Sequence, residues 1–236
     1  MFGLDDRIAA LGAGDTLLIV LAVAVLLGIR HATDPDHLTA VTTLLAGQEP
    51  GRGSSRVAGR LGLCWGAGHA TTLFAFGLPI VLLGAYLPGP VQAGAEAAVG
   101  VLIIALAVRL LARWRRGGRA LVHDHPHGRD GASLRCRSPL QAYGIGLVHG
   151  AGGSAGVGLL LLAGIPDHLE AALALVVFAL FTAISMAVAS TSFGWALSRG
   201  PVARSYGTAA PALGLASLAF GVWYALGAVG AVPYAV

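Results

Sequence analysis

The amino-acid sequence predicts an all-α, polytopic membrane protein with about six transmembrane helices, and composition, chain length and arginine placement lead to this fold class. Of the 236 residues, 56% are hydrophobic and 11% are charged, whereas about 25% of residues are charged in an average soluble domain. Each crossing needs about 20 mainly apolar residues, so the chain has room for about six crossings and short connections. We therefore expect residues 1–236 to form a single transmembrane domain in the cytoplasmic membrane.

Hydropathy, interrupted at Gly, Pro and Arg, places the individual crossings. The predicted crossings are residues 15–46, 57–87, 93–113, 140–163, 169–198 and 209–231, with an Arg- and His-rich loop at 114–139. Outside the crossings, nearly all arginines lie in the loops after the first, third and fifth crossings. By the positive-inside rule these loops are cytoplasmic and both termini face outward. The formal net charge of +4 therefore reflects orientation and does not indicate a nucleic-acid surface.

The residue types that are scarce exclude several classes of function. The sequence contains no lysine, which excludes a nucleotide-binding P-loop and Schiff-base chemistry within this chain. The cysteines, Cys64 and Cys136, are too few for a disulfide framework and argue against redox chemistry. Methionine is limited to Met1 and Met186, which disfavours a copper(I) pathway because that ion prefers thiolate and thioether ligands.

The first predicted crossing contains a polar segment, Arg30-His-Ala-Thr-Asp-Pro-Asp-His37. One interpretation is a hydrated loop that follows a helix ending at Ile29. However, as helices the apolar stretches 17–29 and 38–46 would be about 20 Å and 14 Å long, and neither alone spans a core of about 30 Å. We therefore expect the segment to lie within the membrane, where an ionised side chain costs at least about 2.5 kcal/mol unless it has a partner, water or a bound ion.

Pro35 predicts that this first helix is broken. Proline cannot donate to the carbonyl of His31 and its ring clashes there, so we expect a kink and a free His31 carbonyl. Asp34 followed by Pro35 is typical of an N-cap and a first helical position. The segment is thus predicted to be the junction of two half-helices.

The polar side chains of this junction are suited to a metal ion. His31, Asp34, Asp36 and His37 supply imidazole nitrogens and carboxylate oxygens, a donor set that suits divalent nickel, cobalt, zinc or manganese. Arg30 either balances a carboxylate when no ion is bound or extends to a lipid headgroup. We predict the four acidic and imidazole side chains as metal ligands.

Further histidines occur in the second and fourth crossings. His69 follows Gly68, and taken alone it is equally well explained as an interhelical hydrogen-bonding residue. Beside the first-crossing cluster, a ligand or supporting donor is the better interpretation. His149 has the same two interpretations, and we favour function. The histidine tract at 123–127 either captures metal on the cytoplasmic side or is simply a solvated loop.

A short recurring pattern suggests that the two halves are related. Gly28-Ile-Arg-His31 recurs as Gly146-Leu-Val-His149, and Leu44-Leu-Ala-Gly47 recurs as Leu161-Leu-Ala-Gly164. Three crossings per half is an odd number, so related halves would form an inverted 3+3 repeat, as in many secondary transporters. Chance similarity in a chain rich in Leu, Ala and Gly explains the pattern equally well.

Two adjacent motifs resemble a known family. GIRHATDPDHLTAV resembles the signature of the nickel/cobalt transporter family (NiCoT, within the wider NicO group), and WGAGHATTL resembles the motif of that family's next helix. GLVHGAGGSAG is similar to a second-half motif of shorter members. The resemblance implies that His31, Asp36, His37 and His69, and by the weaker match His149, bind and move Ni²⁺ or Co²⁺. This chain departs from better-known members, which carry the signature in their second crossing.

The sequence thus predicts a secondary transporter of Ni²⁺ or Co²⁺ that is not an enzyme and has no cofactor beyond its transported ion. Import is preferred because a membrane potential favours inward movement of a dication by about 4.6 kcal/mol per 100 mV. The alternatives are efflux by proton exchange, an intramembrane metalloenzyme, or a subunit that hands metal to enzyme maturation proteins. The expected partners are a divalent ion and the lipid bilayer, and the oligomeric state is open.

Overall fold

The chain folds into helices throughout the part that the structure describes. The computed structural model describes residues 17–45, 54–83, 88–120, 138–152, 155–197 and 200–233. The helices in these ranges are α1 (Leu17–His31), α2 (Pro35–Leu45), α3 (Ser54–Leu83), α4 (Gly89–Ala120), α5 (Pro139–Gly150), α6 (Ala155–Ala163), α7 (His168–Leu197) and α8 (Gly200–Ala228). The predicted all-α class is confirmed, and the histidine tract at 123–127 lies outside the described residues.

Several helices are long and apolar enough to cross a membrane. Within the described ranges they are Ser55–Leu83, Gly89–Arg116, His168–Ala196 and Ala209–Ala228, and the bent pair α1–α2 makes a fifth candidate span. Large apolar side chains are exposed on the outer faces of these helices, as at Leu83 and Val101, where a bilayer would cover them. The chain is therefore a multi-pass membrane protein.

The first crossing is broken, as Pro35 predicts. The α1 and α2 axes differ in direction by 51°, and α2 begins at Pro35. The prediction of a free His31 carbonyl is wrong, because this oxygen accepts the Asp34 N–H at 3.1 Å. A tight turn through residues 32–34 supplies the donor that Pro35 lacks.

The predicted fourth crossing, residues 140–163, is also interrupted. It consists of α5 and α6, which have 12 and nine residues and are therefore about 18 Å and 14 Å long. A capping box starts α5: the Gln141 N–H donates to Ser138 Oγ, and the Ser138 N–H donates to the Gln141 side chain. The glycine-rich sequence Gly150-Ala-Gly-Gly153 follows, and glycine carries a high entropic cost in a helix.

Some helices extend beyond their predicted bounds. The third crossing was predicted to end at residue 113, but α4 continues to Ala120. The first part of the predicted loop 114–139 is therefore helical. Arginine is a good helix former, so the helix continues where apolar composition stops.

Close helix packing positions the centre of the protein. In the described part of the chain, α3 packs against both α7 and α5, α4 packs against α8, and α1 packs against α7. Glycines bring these helices together: Gly62 and Gly66 of α3 face Ser190 and Ala183 of α7 without room for a side chain. As a result, α3 presents one face to α7 and another to α5.

Candidate metal centre

The six residues predicted as a metal site all lie in the protein interior. The exposed fractions are 4% for His31, 5% for Asp34, 2% for Asp36, 1% for His37 and 0% for His69 and His149. The burial of four side chains argues against the hydrated loop that the sequence also allowed at residues 30–37, where Thr33 and Pro35 are exposed. Ionisable side chains in a membrane span are costly and indicate a functional site.

Four helix segments bring these side chains together at the two breaks. His31 is the last residue of α1, while Asp36 and His37 lie in the first turn of α2. His69 comes from the middle of α3, and His149 lies in the last turn of α5. The site therefore lies where the break between α1 and α2 and the end of α5 meet the continuous helix α3.

His31, His37 and His69 form a first set of converging imidazoles. One ring nitrogen from each lies within 4.8 Å of the others. The Nε2 atoms of His31 and His69 are 3.0 Å apart, and the ring centroids of His37 lie 4.5 Å from His31 and 5.0 Å from His69. Two nitrogens bound to one tetrahedral ion at about 2.1 Å would be about 3.4 Å apart. A small movement that separates the two Nε2 atoms would therefore accommodate an ion.

Asp36, His37 and His149 form a second set, which shares His37 with the first. Their ligand atoms also lie within 4.8 Å of one another. Asp36 Oδ2 and His149 Nε2 form an ion pair at 3.3 Å without hydrogen-bond geometry, and Asp36 Oδ1 accepts a hydrogen bond from His37 Nδ1 at 3.3 Å. The ring centroids of His37 and His149 are 4.5 Å apart.

Several polar atoms of these two sets lack hydrogen-bond partners within the described ranges. They are Asp36 Oδ2, His37 Nε2, His69 Nδ1 and both ring nitrogens of His149. Leaving a buried polar group unsatisfied costs about 1–3 kcal/mol. Because these atoms cluster around two small volumes, a bound cation is a physical explanation for their retention.

Asp34 belongs to neither set, although the sequence predicts it as a ligand. Its carboxylate forms an ion pair with Arg30 and accepts a hydrogen bond from His31 Nδ1 at 3.3 Å. Arg30 thus supplies the counter-charge that was one of its two predicted roles. A carboxylate that holds one imidazole nitrogen orients the other nitrogen for metal binding, so the geometry of Asp34 is that of a supporting residue.

Close contact between α3 and α5 brings His149 to the other histidines. Gly146 packs against the carbonyl oxygen of Trp65, and Gly150 against that of His69. The Thr72 hydroxyl donates to the Leu147 carbonyl at 2.9 Å. Small residues allow such backbone approach between membrane helices.

The sequence analysis missed two aromatic rings beside the site and one further buried acid. The Phe178 ring lies 5.6 Å from His31, and the Trp65 ring lies 5.5 Å from His149. Glu96 of α4 is buried and accepts a hydrogen bond from Gln92 at 3.0 Å. Its signal in the sequence is a single acid within an apolar stretch.

The fold and the site define a multi-pass membrane protein with a buried histidine and carboxylate cluster that could bind a metal ion. The chain is similar to the urease accessory protein UreH of Bacillus sp. (strain TB-90), with 28% identity over 219 residues. The aligned residues cover 88% of this chain and 91% of that protein. No protein-family profile and no solved structure matches the chain.

Proposed function

We propose that this protein is a membrane transporter that moves a divalent transition-metal ion, Ni²⁺ or Co²⁺, through the centre formed by His31, Asp36, His37, His69 and His149. The observation that carries the proposal is the burial of these five side chains, with several unsatisfied donor atoms, in a protein of membrane-spanning helices. Neutral imidazole and carboxylate suit these ions. Nickel or cobalt as the cargo rests on the family resemblance of the two sequence motifs.

A six-crossing topology is part of this proposal. In it α5 and α6 together form one more crossing, in addition to the four long helices and the bent pair α1–α2. Six is an even number, so both termini would lie on one side, and the arginine-rich loops place that side outside the cell. The whole chain, residues 1–236, then forms one transmembrane domain with an inverted 3+3 repeat.

The helix contacts support the inverted repeat. If the crossings of the second half repeat those of the first in order, α1 corresponds to α5 and α3 to α7. The contact of α1 with α7 then has its counterpart in the contact of α5 with α3, and both are present. The remaining major contacts, α3 with α7 and α4 with α8, pair each crossing with its own counterpart.

Residue contacts in the two halves support the same correspondence. Gly28, in the first Gly-x-x-His, meets the backbone carbonyl of Phe178, whereas Gly146, in the second, meets the backbone carbonyl of Trp65. The histidines that follow lie beside the same two aromatic rings. These matching contacts support related halves over chance similarity of the two sequence motifs.

Reconstitution of the purified protein into liposomes tests the function. We expect accumulation of radioactive nickel or cobalt above that of protein-free liposomes, and faster accumulation when the interior is made negative. Flux that requires an opposing proton gradient would instead indicate efflux by exchange. Absence of flux under both conditions would contradict the transporter.

A subunit that hands metal to an enzyme maturation system is the second candidate, and similarity to a protein named as a urease accessory protein favours it. Such a subunit would bind the ion with the same ligands but would release it only to a partner. Binding by the purified protein without flux in liposomes would support this alternative. Metal-dependent turnover of a lipid or peptide would instead support an enzyme. No contact of the centre among the described residues points to that function.

Asp36→Asn is expected to lower nickel uptake in liposomes at least about tenfold, because it removes the one negative charge and an oxygen donor from the second set. The amide has nearly the same shape, so folding should be preserved. Asp167→Asn is the matched control: Asp167 is exposed and accepts the N–H groups of Leu169 and Glu170, and asparagine caps helices equally well. Wild-type uptake by Asp36→Asn would remove this carboxylate from the site.

A further inference from the structure

We propose that the ion occupies two alternative positions in turn, the first held by His31, His37 and His69 and the second by Asp36, His37 and His149, with His37 as a ligand of both. This proposal rests on the transport function proposed above and concerns how the ion passes through the centre. It predicts one bound ion at a time, because the two positions share a ligand.

The distances divide the five side chains into two sets. Within each set the ligand atoms lie within 4.8 Å of one another, but in the described part of the chain no such group contains all five. The closest pairs are 3.0 Å apart in the first set and 3.3 Å apart in the second. Both distances are near the about 3.4 Å expected for two ligands of one tetrahedral ion. Each set thus has the dimensions of a metal position of its own.

The second set combines a supporting contact with a candidate ligand pair: Asp36 Oδ1 accepts a hydrogen bond from His37 Nδ1 at 3.3 Å, while Asp36 Oδ2 faces His149. A carboxylate that supports a metal-binding histidine accepts a hydrogen bond from its second ring nitrogen, and Asp34 does so with His31. Asp36 Oδ2 and His149 Nε2 instead form an ion pair at 3.3 Å that lacks hydrogen-bond geometry. These two atoms are therefore close enough to share one ion.

The two positions differ in whether they include a residue of the second half of the chain. His31 ends α1 beside Phe178, and His149 lies in the last turn of α5 beside Trp65. The first position therefore draws all its ligands from the first half, whereas the second adds His149 from the break after α5. His37, whose ring centroid lies 4.5 Å from both His31 and His149, is placed between them.

Such an arrangement lets an ion move without losing all its ligands at once. In passing from the first position to the second, it exchanges His31 and His69 for Asp36 and His149 while His37 stays bound. Transport requires a site that binds well enough to admit the ion but releases it again. Two positions with three ligands each meet that requirement better than a single five-ligand site, because fewer ligands must be released at each step.

Equilibrium binding of Co²⁺ to the purified full-length protein tests the two positions. We expect the wild type to bind one equivalent. The variants His69→Gln and His149→Gln should each still bind one equivalent, at the position left intact. Their visible absorption spectra should differ, because the position left in His69→Gln includes a carboxylate and the position left in His149→Gln has only imidazoles. His168→Gln, an exposed histidine at the start of α7, is the matched control and should bind as the wild type does.

Double variants provide the decisive comparison. His31→Gln added to His69→Gln should change affinity less than twofold, since the first position is already lost. His149→Gln added to His69→Gln should lower affinity at least 100-fold, since both positions are then lost. The proposal is overturned if the loss of affinity in the His31→Gln/His69→Gln double variant equals the product of the losses in its two single variants. It is also overturned if the wild type binds two equivalents. Asparagine replacements at the same positions repeat the comparison should a glutamine variant not fold.

Flux measurements separate this proposal from the proposed function. His69→Gln and His149→Gln should bind Co²⁺ yet transport it at less than one tenth of the wild-type rate. Wild-type flux in either variant would contradict passage through both positions while leaving transport intact. Wild-type protein that binds with the predicted pattern but gives no flux would instead contradict the transporter.

Discussion

Replacing His37 with alanine or glutamine should reduce nickel and cobalt uptake in liposomes at least about 100-fold, beyond the effect of changing a supporting residue. His37 is the one side chain that belongs to both ligand sets, so its loss leaves each set with two donors. Its Nε2 has no hydrogen-bond partner among the described residues, so the replacement breaks a single side-chain hydrogen bond, the one from His37 Nδ1 to Asp36 Oδ1. Uptake of a radioactive tracer measures the effect.

Controls distinguish loss of function from loss of structure in the His37 variants. Glutamine keeps most of the side-chain volume, so it limits the cavity that alanine leaves in the core. Helical content and elution as a single species should match those of His168→Gln, which changes an exposed histidine. If folded His37 variants take up metal at the wild-type rate, the assignment of the centre as a metal path is wrong.

Replacing Gly146 with alanine should lower the free energy of unfolding by at least about 1–3 kcal/mol, the typical cost of overpacking a core. The added Cβ would meet the backbone carbonyl of Trp65 and would lie 2.8 Å from the His69 backbone nitrogen. Backbone atoms of a central helix cannot move away as the end of a flexible side chain can. We expect a lower midpoint of thermal unfolding, measured by circular dichroism, and weaker Co²⁺ binding because α5 must move away from α3.

Gly144→Ala is the matched control on the same helix. A Cβ at Gly144 meets no atom within 4 Å, and alanine is a better helix former than glycine by about 1 kcal/mol. The unfolding midpoint of this variant should therefore stay the same or rise. Equal midpoints for the two variants would show that α3 and α5 do not approach each other as closely as described.

Much of the site was open to prediction from local sequence. The break between α1 and α2 follows from Pro35, and the expectation that residues 30–37 lie within the membrane follows from apolar stretches too short to span it separately. The residue types indicate that the candidate metal ligands are imidazole nitrogens and carboxylate oxygens. The sequence did not distinguish the roles of Asp34 and Asp36, because both are carboxylates in the same short segment. In the structure they differ in their contacts. Asp34 contacts Arg30 and His31, whereas Asp36 faces His149.

The break between α5 and α6 was the main feature that hydropathy did not reveal. Residues 140–163 are apolar enough for one crossing, and no proline lies within them to mark an interruption. The structure ends α5 at Gly150, one residue beyond His149, as it ends α1 at His31. The weak repeat in the sequence was the one available signal, and chance similarity explained it equally well.

The sequence by itself determined that this protein is helical, lies in a membrane and carries imidazole and carboxylate groups at a broken first crossing, since these properties follow from composition and from proline geometry within a few residues. Only the tertiary structure decided which of those groups meet. His31 and His69 are 38 positions apart in the chain, and His149 reaches them because glycines let α5 approach the backbone of α3. Such contacts depend on how helices pack, and hydropathy carries no information about the distance between one helix and another.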